Sequence, residues 1–409
     1  MNFVNVINLC LGALLVLCYL YQFIFLVISY VRPKNTATEP KSNRIAVLVC
    51  ARNEEAVIGR LVDRLVAQDY PKELYEIFVL ADNCTDSTAK AASERGATVF
   101  ERENKDEIGK GYALDYLIRA IKAGRGEEAF DAFIVFDADN LPEESFLTEI
   151  NKTFSQGYDC VTSYRAPMNY SDGWLAAGQS MCFLRDAVML NRARARMGSF
   201  SFISGTGYMF SAQLCREFGG GWPFHTLTED CEFSAYNAVR GSKMGFADAA
   251  VFRDEQPKSW RQSFRQRLRW CRGGIEVFKL YSKKLIRGIF SRRFLACFDM
   301  TMCMAPAYII STAAIAVNLV TVPVALCIGY KPLDILLLPV IMLIGAMILL
   351  GVFGVCLTVS ERKKLDTGTG KLILYAITFP LYMATFVPIA VIALFKKNVK
   401  WKPIERRNV

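Results

Sequence analysis

Apolar positions along this chain follow two regimes. In the middle, short apolar runs alternate with stretches of helical spacing. Ile45–Ala51 reads as a buried strand and ends in Arg52-Asn53-Glu54-Glu55, after which Ile58, Leu61, Leu65 and Val66 repeat at helical intervals. Tyr75–Ala81 predicts a second strand, ending in Asp82-Asn83-Cys84-Thr85-Asp86. A helix over 86–95, a short strand Ala97–Phe100 and a helix opened by Gly109-Lys110-Gly111 come next. Ala132–Phe136 predicts another strand, closed by Asp137-Ala138-Asp139. This alternation predicts an α/β fold, a mostly parallel sheet with helices on both faces. Ligands in such sheets sit beyond the carboxyl ends of the strands. The polar clusters at 52–55, 82–86 and 137–139 all fall there.

The ends of the chain are different. Residues 1–31, 300–330, 335–360 and 372–395 carry no charged side chain. A run of ~20 apolar residues spans a bilayer core. The expected organisation is a transmembrane helix in 1–31, a charged central domain over 32–283, an interfacial region at 284–302, a membrane region over 303–395 and a basic tail at 396–409. Within 303–395, segments 303–328 and 334–358 read as full helices. Pro380 and Pro388 interrupt 372–395, which reads as a third crossing or a re-entrant segment. Arg32, Lys34, Lys41 and Arg44 face a single acid, Glu39, just after the first helix. Arg362, Lys363, Lys364 and Lys371 crowd the loop before the last run. Both place the central domain in the cytosol. Lys396, Lys397, Lys400, Lys402, Arg406 and Arg407 favour the same side, against a full last crossing.

Composition narrows the chemistry. With 53% hydrophobic and 22% charged residues, the chain cannot be disordered overall. The +10 net charge lies mostly in the membrane flanks and in 261–272. It suits an anionic leaflet, and no nucleic-acid motif accompanies it. A single histidine, His225, excludes a multi-histidine metal site and leaves little for a Ser-His-Asp relay; it reads as packing or a local hydrogen bond. Thirteen cysteines contain no C-x-x-C pair, which argues against zinc and disulfides and for a reducing compartment.

Six constellations carry candidate chemistry. Asp137 and Asp139 at a strand end suit Mg²⁺ or Mn²⁺, which take one or two carboxylates and share phosphate oxygens; a turn or cap is the alternative. Asp82 can accept a uracil imide N–H, or make an Asx-turn. Lys110 between glycines at a helix start suits a diphosphate, or lies in an ordinary loop. Thr228-Glu229-Asp230 opens a helix with Thr228 as N-cap, and Asp230 is the candidate general base. Gln266, Arg269 and Trp270 share a helical face, with Arg261, Arg265, Arg267 and Arg272 nearby; a basic interfacial helix is the plain reading. Gly205-Thr206-Gly207 predicts a tight turn, either beside an acceptor pocket or structural only.

Taken in order, strand-end Asp82, the D-x-D at 137–139, T-E-D at 228–230 and Q-x-x-R-W at 266–270 resemble the membrane-integrated family 2 glycosyltransferases. These include hyaluronan, cellulose, chitin-oligosaccharide and poly-N-acetylglucosamine synthases. The resemblance runs from the first helix to the basic tail. It implies a Rossmann-like GT-A domain flanked by transmembrane helices in the cell membrane, with the catalytic domain in the cytosol. It implies Asp82 on the uracil, Lys110 on the diphosphate, and Asp137 and Asp139 at the metal, with Asp139 the direct ligand. Asp230 would be the base with Glu229 beside it. Gln266, Arg269 and Trp270 would hold acceptor and leaving group. The family's common D-D-G-S-x-D reads Ala81-Asp82-Asn83-Cys84-Thr85-Asp86 here, so only Asp82 can take the uridine role. The implied activity is an inverting, metal-dependent hexosyltransferase that uses a UDP-glucose or UDP-N-acetylglucosamine class donor to build a polysaccharide or oligosaccharide. Its partners would be the donor, a glycan or lipid-linked acceptor and membrane lipids, with no nucleic acid.

Two rivals remain. One adds a single sugar to a lipid acceptor; the larger polymer synthases have more membrane helices than the three or four read here. The other is a transporter whose cytosolic domain only binds nucleotide, but no G-x-x-x-x-G-K-[ST] loop is present. The charge asymmetry yields the first test. A membrane-impermeant thiol reagent on intact cells should leave Cys84 and Cys231 unlabelled; labelling at either would reverse the orientation.

Overall fold

The structure is a computed structural model and describes residues 2–31, 39–396 and 398–399. Arg32, Lys34, Lys397, Lys400, Lys402, Arg406 and Arg407, and with them most of the expected basic tail, lie outside the described residues.

Eight strands form one mixed sheet. They are β1 (Ile45–Ala51), β2 (Tyr75–Asp82), β3 (Thr98–Arg102), β4 (Ala132–Asp137), β5 (Leu141–Pro142), β6 (Cys160–Pro167), β7 (Tyr208–Ser211) and β8 (Met244–Asp254). The order is β3-β2-β1-β4-β7-β6-β8-β5. The first four strands in that order are parallel, as the alternating pattern predicts. β7 then enters antiparallel to both β4 and β6, and β6 pairs parallel with β8. The sequence reading had not picked out β6, β7 and β8.

Alternation within β1 explains the two faces. Ala46 and Leu48 face the helix Lys110–Arg125, packing with Leu114, Leu117 and Ile121. Ile45, Val47 and Val49 face Ile58, Leu61, Leu65, Phe146 and Ile150 on the other side. A strand buried on both faces must be apolar throughout, and β1 is. The chain winds from β1 to β2 in one direction and to β4 in the other. A crevice therefore opens beyond the carboxyl ends of β1 and β4.

Among the described residues, four helical stretches are long and apolar enough to cross a membrane: Phe3–Ile28, Phe294–Cys327, Pro332–Ser360 and Thr369–Phe395. The expected interfacial region 284–302 is not one element. Its first residues end the 30-residue helix Trp260–Ile289, and Phe294 begins a separate helix, Phe294–Met304, which Pro306–Cys327 continues. The last apolar run breaks at Thr385, between the helices Thr369–Ala384 and Phe386–Phe395. Pro388 supplies the reason. Its missing N–H leaves the carbonyl four residues back, at Ala384, without its helical donor.

The sheet domain is fastened to these helices by side chains. Tyr164, Leu175, Met181 and Leu184 pack with Leu357, Leu372, Phe379 and Tyr382. Gly178 permits this closeness, because a Cβ there would overlap the Tyr382 ring. Arg267, fully buried, donates from Nη1 to the Thr385 hydroxyl at 2.5 Å and lies over the rings of Tyr382 and Phe386 at 4.5 and 4.9 Å. Arg194 Nε and Nη2 donate to the Asp299 carboxylate at 2.6 and 3.0 Å, and the Tyr21 hydroxyl donates to it at 2.8 Å.

Both members of the Arg194–Asp299 pair are 2% exposed. Removing one partner strands a buried charge, so Arg194→Met should cost ~3–5 kcal/mol. The double variant Arg194→Met/Asp299→Leu should recover most of it. Thermal unfolding of the detergent-solubilised protein checks this; equal losses in both would refute it.

Candidate active site

One cavity of about 840 Å³ collects the nine residues to which the sequence reading gave a donor, metal, catalytic or acceptor role. Asp82, Lys110, Asp137, Asp139, Glu229, Asp230, Gln266, Arg269 and Trp270 all line it. It begins at the ends of β1, β2 and β4 and continues to Met304, Tyr308, Tyr382 and Phe386 of the apolar helices.

At its centre, Lys110 Nζ donates to Asp137 Oδ1 and, at 2.7 Å, to the Gly205 carbonyl. Lys110 is thus no ordinary loop residue; it starts the helix Lys110–Arg125 and points into the cleft. Gly111 matters beside it, since a Cβ there would run into the Phe224 carbonyl. Burial alone would lower the Lys110 pKa, but the carboxylates of Asp137 and Glu229 outweigh it and the net shift is upward. Asp137 moves down: burial pushes its carboxyl up, and the Lys110 ammonium more than reverses that.

The D-x-D segment is held by its neighbours. The Asp137 N–H donates to Asn140 Oδ1 at 3.1 Å and Thr206 Oγ1 at 2.9 Å. Buried Asn140 Nδ2 reaches Asp139 Oδ1 and Asp254 Oδ1, each at 3.4 Å. Gly205-Thr206-Gly207 is therefore a turn that belongs to the site, with φ of 81° and 64° at its glycines. The donors at Asp137 and Asp139 are carboxylate oxygens, and His225 instead stacks on Tyr112 at 4.2 Å. Among the described residues no cluster of three or more His, Cys, Asp or Glu side chains forms a closed cage. Two carboxylates without a cage fit a hard cation, Mg²⁺ or Mn²⁺, that completes its shell with water and phosphate.

Asp82 Oδ1 accepts from Arg102 Nη1 at 2.9 Å and Asn83 Nδ2 at 3.1 Å. Parallel register sets Asp82 beside Arg102 across β2 and β3. Nothing in the local sequence links these two residues, so the pair was not foreseen. The Asx-type contact belongs to Asp86, whose Oδ1 accepts from the Thr88 N–H at 3.1 Å.

Glu229 and Asp230 open the helix Glu229–Arg240, as expected. Thr228 occupies the cap position but does not cap: its φ and ψ are −136° and 73°, and its hydroxyl is buried without a hydrogen-bond partner. The hydroxyl turns toward Gly273 of the long helix instead. Burial, with the Asp230 charge adding to it, pushes the Glu229 carboxyl up to about 7. Burial also raises Asp230, against the opposing pull of its own N-terminal amides, Arg269 and Lys110.

The long helix Trp260–Ile289 brings the last trio. Arg269 Nη1 donates to the Leu227 carbonyl at 2.7 Å. Gln266 Oε1 accepts from Gln179 Nε2 at 2.9 Å, and the Tyr382 hydroxyl donates to Gln179 at 3.2 Å. Trp270 meets Phe183 edge-on at 5.8 Å, and the Arg165 guanidinium lies 3.7 Å over Phe183. Arg165 in turn pairs with Asp254. Only Arg261 and Arg265 of the basic stretch are exposed, so a purely interfacial helix does not describe it.

A mixed sheet with carboxylates at a β1/β4 crevice, flanked by membrane-type helices, defines a GT-A-like glycosyltransferase fold. A mannosyltransferase from Pyrobaculum calidifontis, solved in complex with GDP-Man and Mn²⁺, shares the fold at a TM-score of 0.59 and 18% identity, covering 95% of this chain and all of that one. The family described as Glycosyltransferase like family 2 matches residues 40–273, more than half the chain, and the protein belongs to that family. It is 26% identical over 264 residues to the "Probable glycosyltransferase YdaM" of Bacillus subtilis, covering 60% of this chain and 61% of that protein. It is 25% identical over 294 residues to a β-monoglucosyldiacylglycerol synthase of Nostoc sp., covering 70% of this chain and 60% of that protein. The chain thus spans about three fifths of each relative's length.

The electrostatics generate a test. A neighbouring negative charge raises a carboxyl pKa, so Asp230→Asn should lower that of Glu229 from about 7 toward the ordinary range. Glu229 would then stay ionised to lower pH. Infrared difference spectra across a pH series check this; an unchanged Glu229 titration would refute the coupling.

Proposed function

We propose that this protein transfers a sugar from a UDP-sugar, with inversion to a β-linkage, onto an acceptor held at the membrane. The observation that carries the reading is the single cavity running from Asp82 and Lys110, past Asp137, Asp139, Glu229 and Asp230, to the apolar helices.

Asp82 serves the uracil imide. Lys110, at the amide-rich start of its helix, serves the diphosphate. Asp137 and Asp139 would hold Mg²⁺ or Mn²⁺, which when bound supplies positive charge against the departing diphosphate. Arg269 adds a guanidinium to the same task. Asp230 takes the proton from the acceptor hydroxyl as that oxygen attacks the anomeric carbon. The C–O bond to the diphosphate breaks in the same displacement, which inverts the configuration. Glu229, its carboxyl pushed up to about 7 by burial, stands beside the base. Gln266 and Trp270 line the acceptor side.

Growth of a glycan and transfer of one sugar to a lipid both use this arrangement. The apolar extension past Met304, Tyr308, Met383 and Phe386 favours the lipid acceptor. The name of the Nostoc relative, a synthase of a glucosylated diacylglycerol, agrees with that preference. The four apolar stretches fit a multi-pass protein of the cell membrane with its catalytic domain in the cytosol, where UDP-sugars are made.

The purified full-length protein, given a panel of UDP-sugars with Mn²⁺ or Mg²⁺, should release UDP in the presence of membrane lipid. Asp230→Asn should bind UDP-sugar within a few-fold of the native protein and lose ~10²–10⁴ in turnover. Near-native turnover would move the base elsewhere, with Glu229 next. Product sizing separates one added sugar from a ladder.

A further inference from the structure

We infer that the membrane-side arm of the cavity is built for an uncharged lipid alcohol, whose polar head is oriented by Arg185 and Asp186, and not for a lipid phosphate. This rests on the proposed donor chemistry and names the acceptor class for it.

Two observations meet here. The first is apolar. Met304 and Tyr308 belong to the stretch Phe294–Cys327, and Met383 and Phe386 to Thr369–Phe395. One cavity therefore reaches between two candidate membrane spans, where an acyl chain is at home and a hydrated sugar is not.

The second is a charge balance. Three charged side chains of the cavity lie beside this arm: Arg194 Nη2 reaches Cys303 Sγ at 3.4 Å, next to Met304, and Arg185 and Asp186 follow Cys182, whose Sγ meets Met383 Sδ at 3.6 Å. Arg185 Nε and Nη2 both donate to Asp186 Oδ1, at 3.1 and 2.7 Å. Arg194 is neutralised by Asp299. Each of these guanidiniums thus has its own carboxylate, and the two pairs carry no net charge. A phosphate monoester or diester would have to displace Asp186 from Arg185 and then sit beside that carboxylate in a low-dielectric wall, which is costly. A hydroxyl meets no such conflict. It donates to the Asp186 carboxylate and accepts from the Arg185 fork.

The backbone brings the pair into position. Arg185 and Asp186 start a π-helical stretch, Arg185–Asn191, that interrupts an otherwise α-helical segment from Trp174 to Arg196. The wider turn changes the angular step between side chains, and such turns concentrate at functional sites. Here both members of an adjacent pair line one cavity.

The full-length protein in mixed micelles, with UDP-sugar and Mn²⁺, should be given dioleoylglycerol, a polyprenyl phosphate or a soluble disaccharide. Dioleoylglycerol should raise UDP release by at least about ten-fold, and polyprenyl phosphate should not. Asp186→Asn should raise the KM for dioleoylglycerol on the order of ten-fold, the scale of one hydrogen bond to a charged group. It should leave UDP affinity unchanged in a direct titration, and Asp186→Glu should restore the native KM. Met383→Trp, which fills the apolar arm, should cut transfer to dioleoylglycerol while UDP still binds. It keeps the assignment testable if Asp186→Asn does not fold. Preference for polyprenyl phosphate or the disaccharide would overturn the acceptor assignment, as would an unchanged KM in Asp186→Asn. Failure of the native protein to bind UDP would overturn the donor reading and this inference with it.

Discussion

The ion pair between Lys110 and Asp137 fixes the geometry on which the rest of the site depends. It joins the start of one helix to the end of β4, and through the Gly205 carbonyl it ties in the turn before β7. An ammonium in a partly buried cleft cannot stay charged without carboxylates, and carboxylates this close to one another cannot all stay ionised without a cation. The opposed shifts of Lys110 and Asp137 follow from that pairing, whereas burial raises Glu229 and Asp230 and the Lys110 ammonium pulls both back down. A diphosphate entering the cleft would add negative charge beside carboxylates that Lys110 and Arg269 already have to balance. A divalent cation at Asp137 and Asp139 is the economical remedy, and their uncaged oxygens suit it.

The long helix Trp260–Ile289 couples this cleft to the membrane-type helices. One side sends Gln266, Arg269 and Trp270 into the cavity. Another buries Arg267 against Thr385, Tyr382 and Phe386, where the last apolar run is broken. A cation held by a hydroxyl and aromatic faces is fixed in direction as well as place. The break left by Pro388 thus faces the base of the cavity, and catalytic and membrane parts share a wall.

Asymmetry of charge then divides the cavity. The end beyond the strands gathers Lys110, Arg269 and several acids. Toward the apolar helices Arg185 and Arg194 each have a carboxylate partner, and methionine and aromatic side chains line the same cavity. Under the proposed function, a water-soluble donor and a membrane-borne acceptor would meet in one cavity because its polarity changes along it.

The sequence by itself determined what depends on local pattern. Two-sided burial made β1, β2 and β4 legible as apolar runs, and the loops that end them had to carry the strand-end acids. Uncharged runs marked the apolar helices, and helical spacing put Gln266, Arg269 and Trp270 on one face. Other features came only with the tertiary structure, because they rest on neighbours far apart in the chain. Strand register paired Asp82 with Arg102. Packing of Gly273 turned Thr228 away from its expected cap. β7 entered antiparallel, a reversal with no local signal. The Arg185–Asp186 pair was adjacent in sequence, yet only a π-turn and two distant helices made it the wall of a neutral, apolar arm. Periodicity is written residue by residue, whereas charge balance in a buried space is a property of whatever the fold brings together.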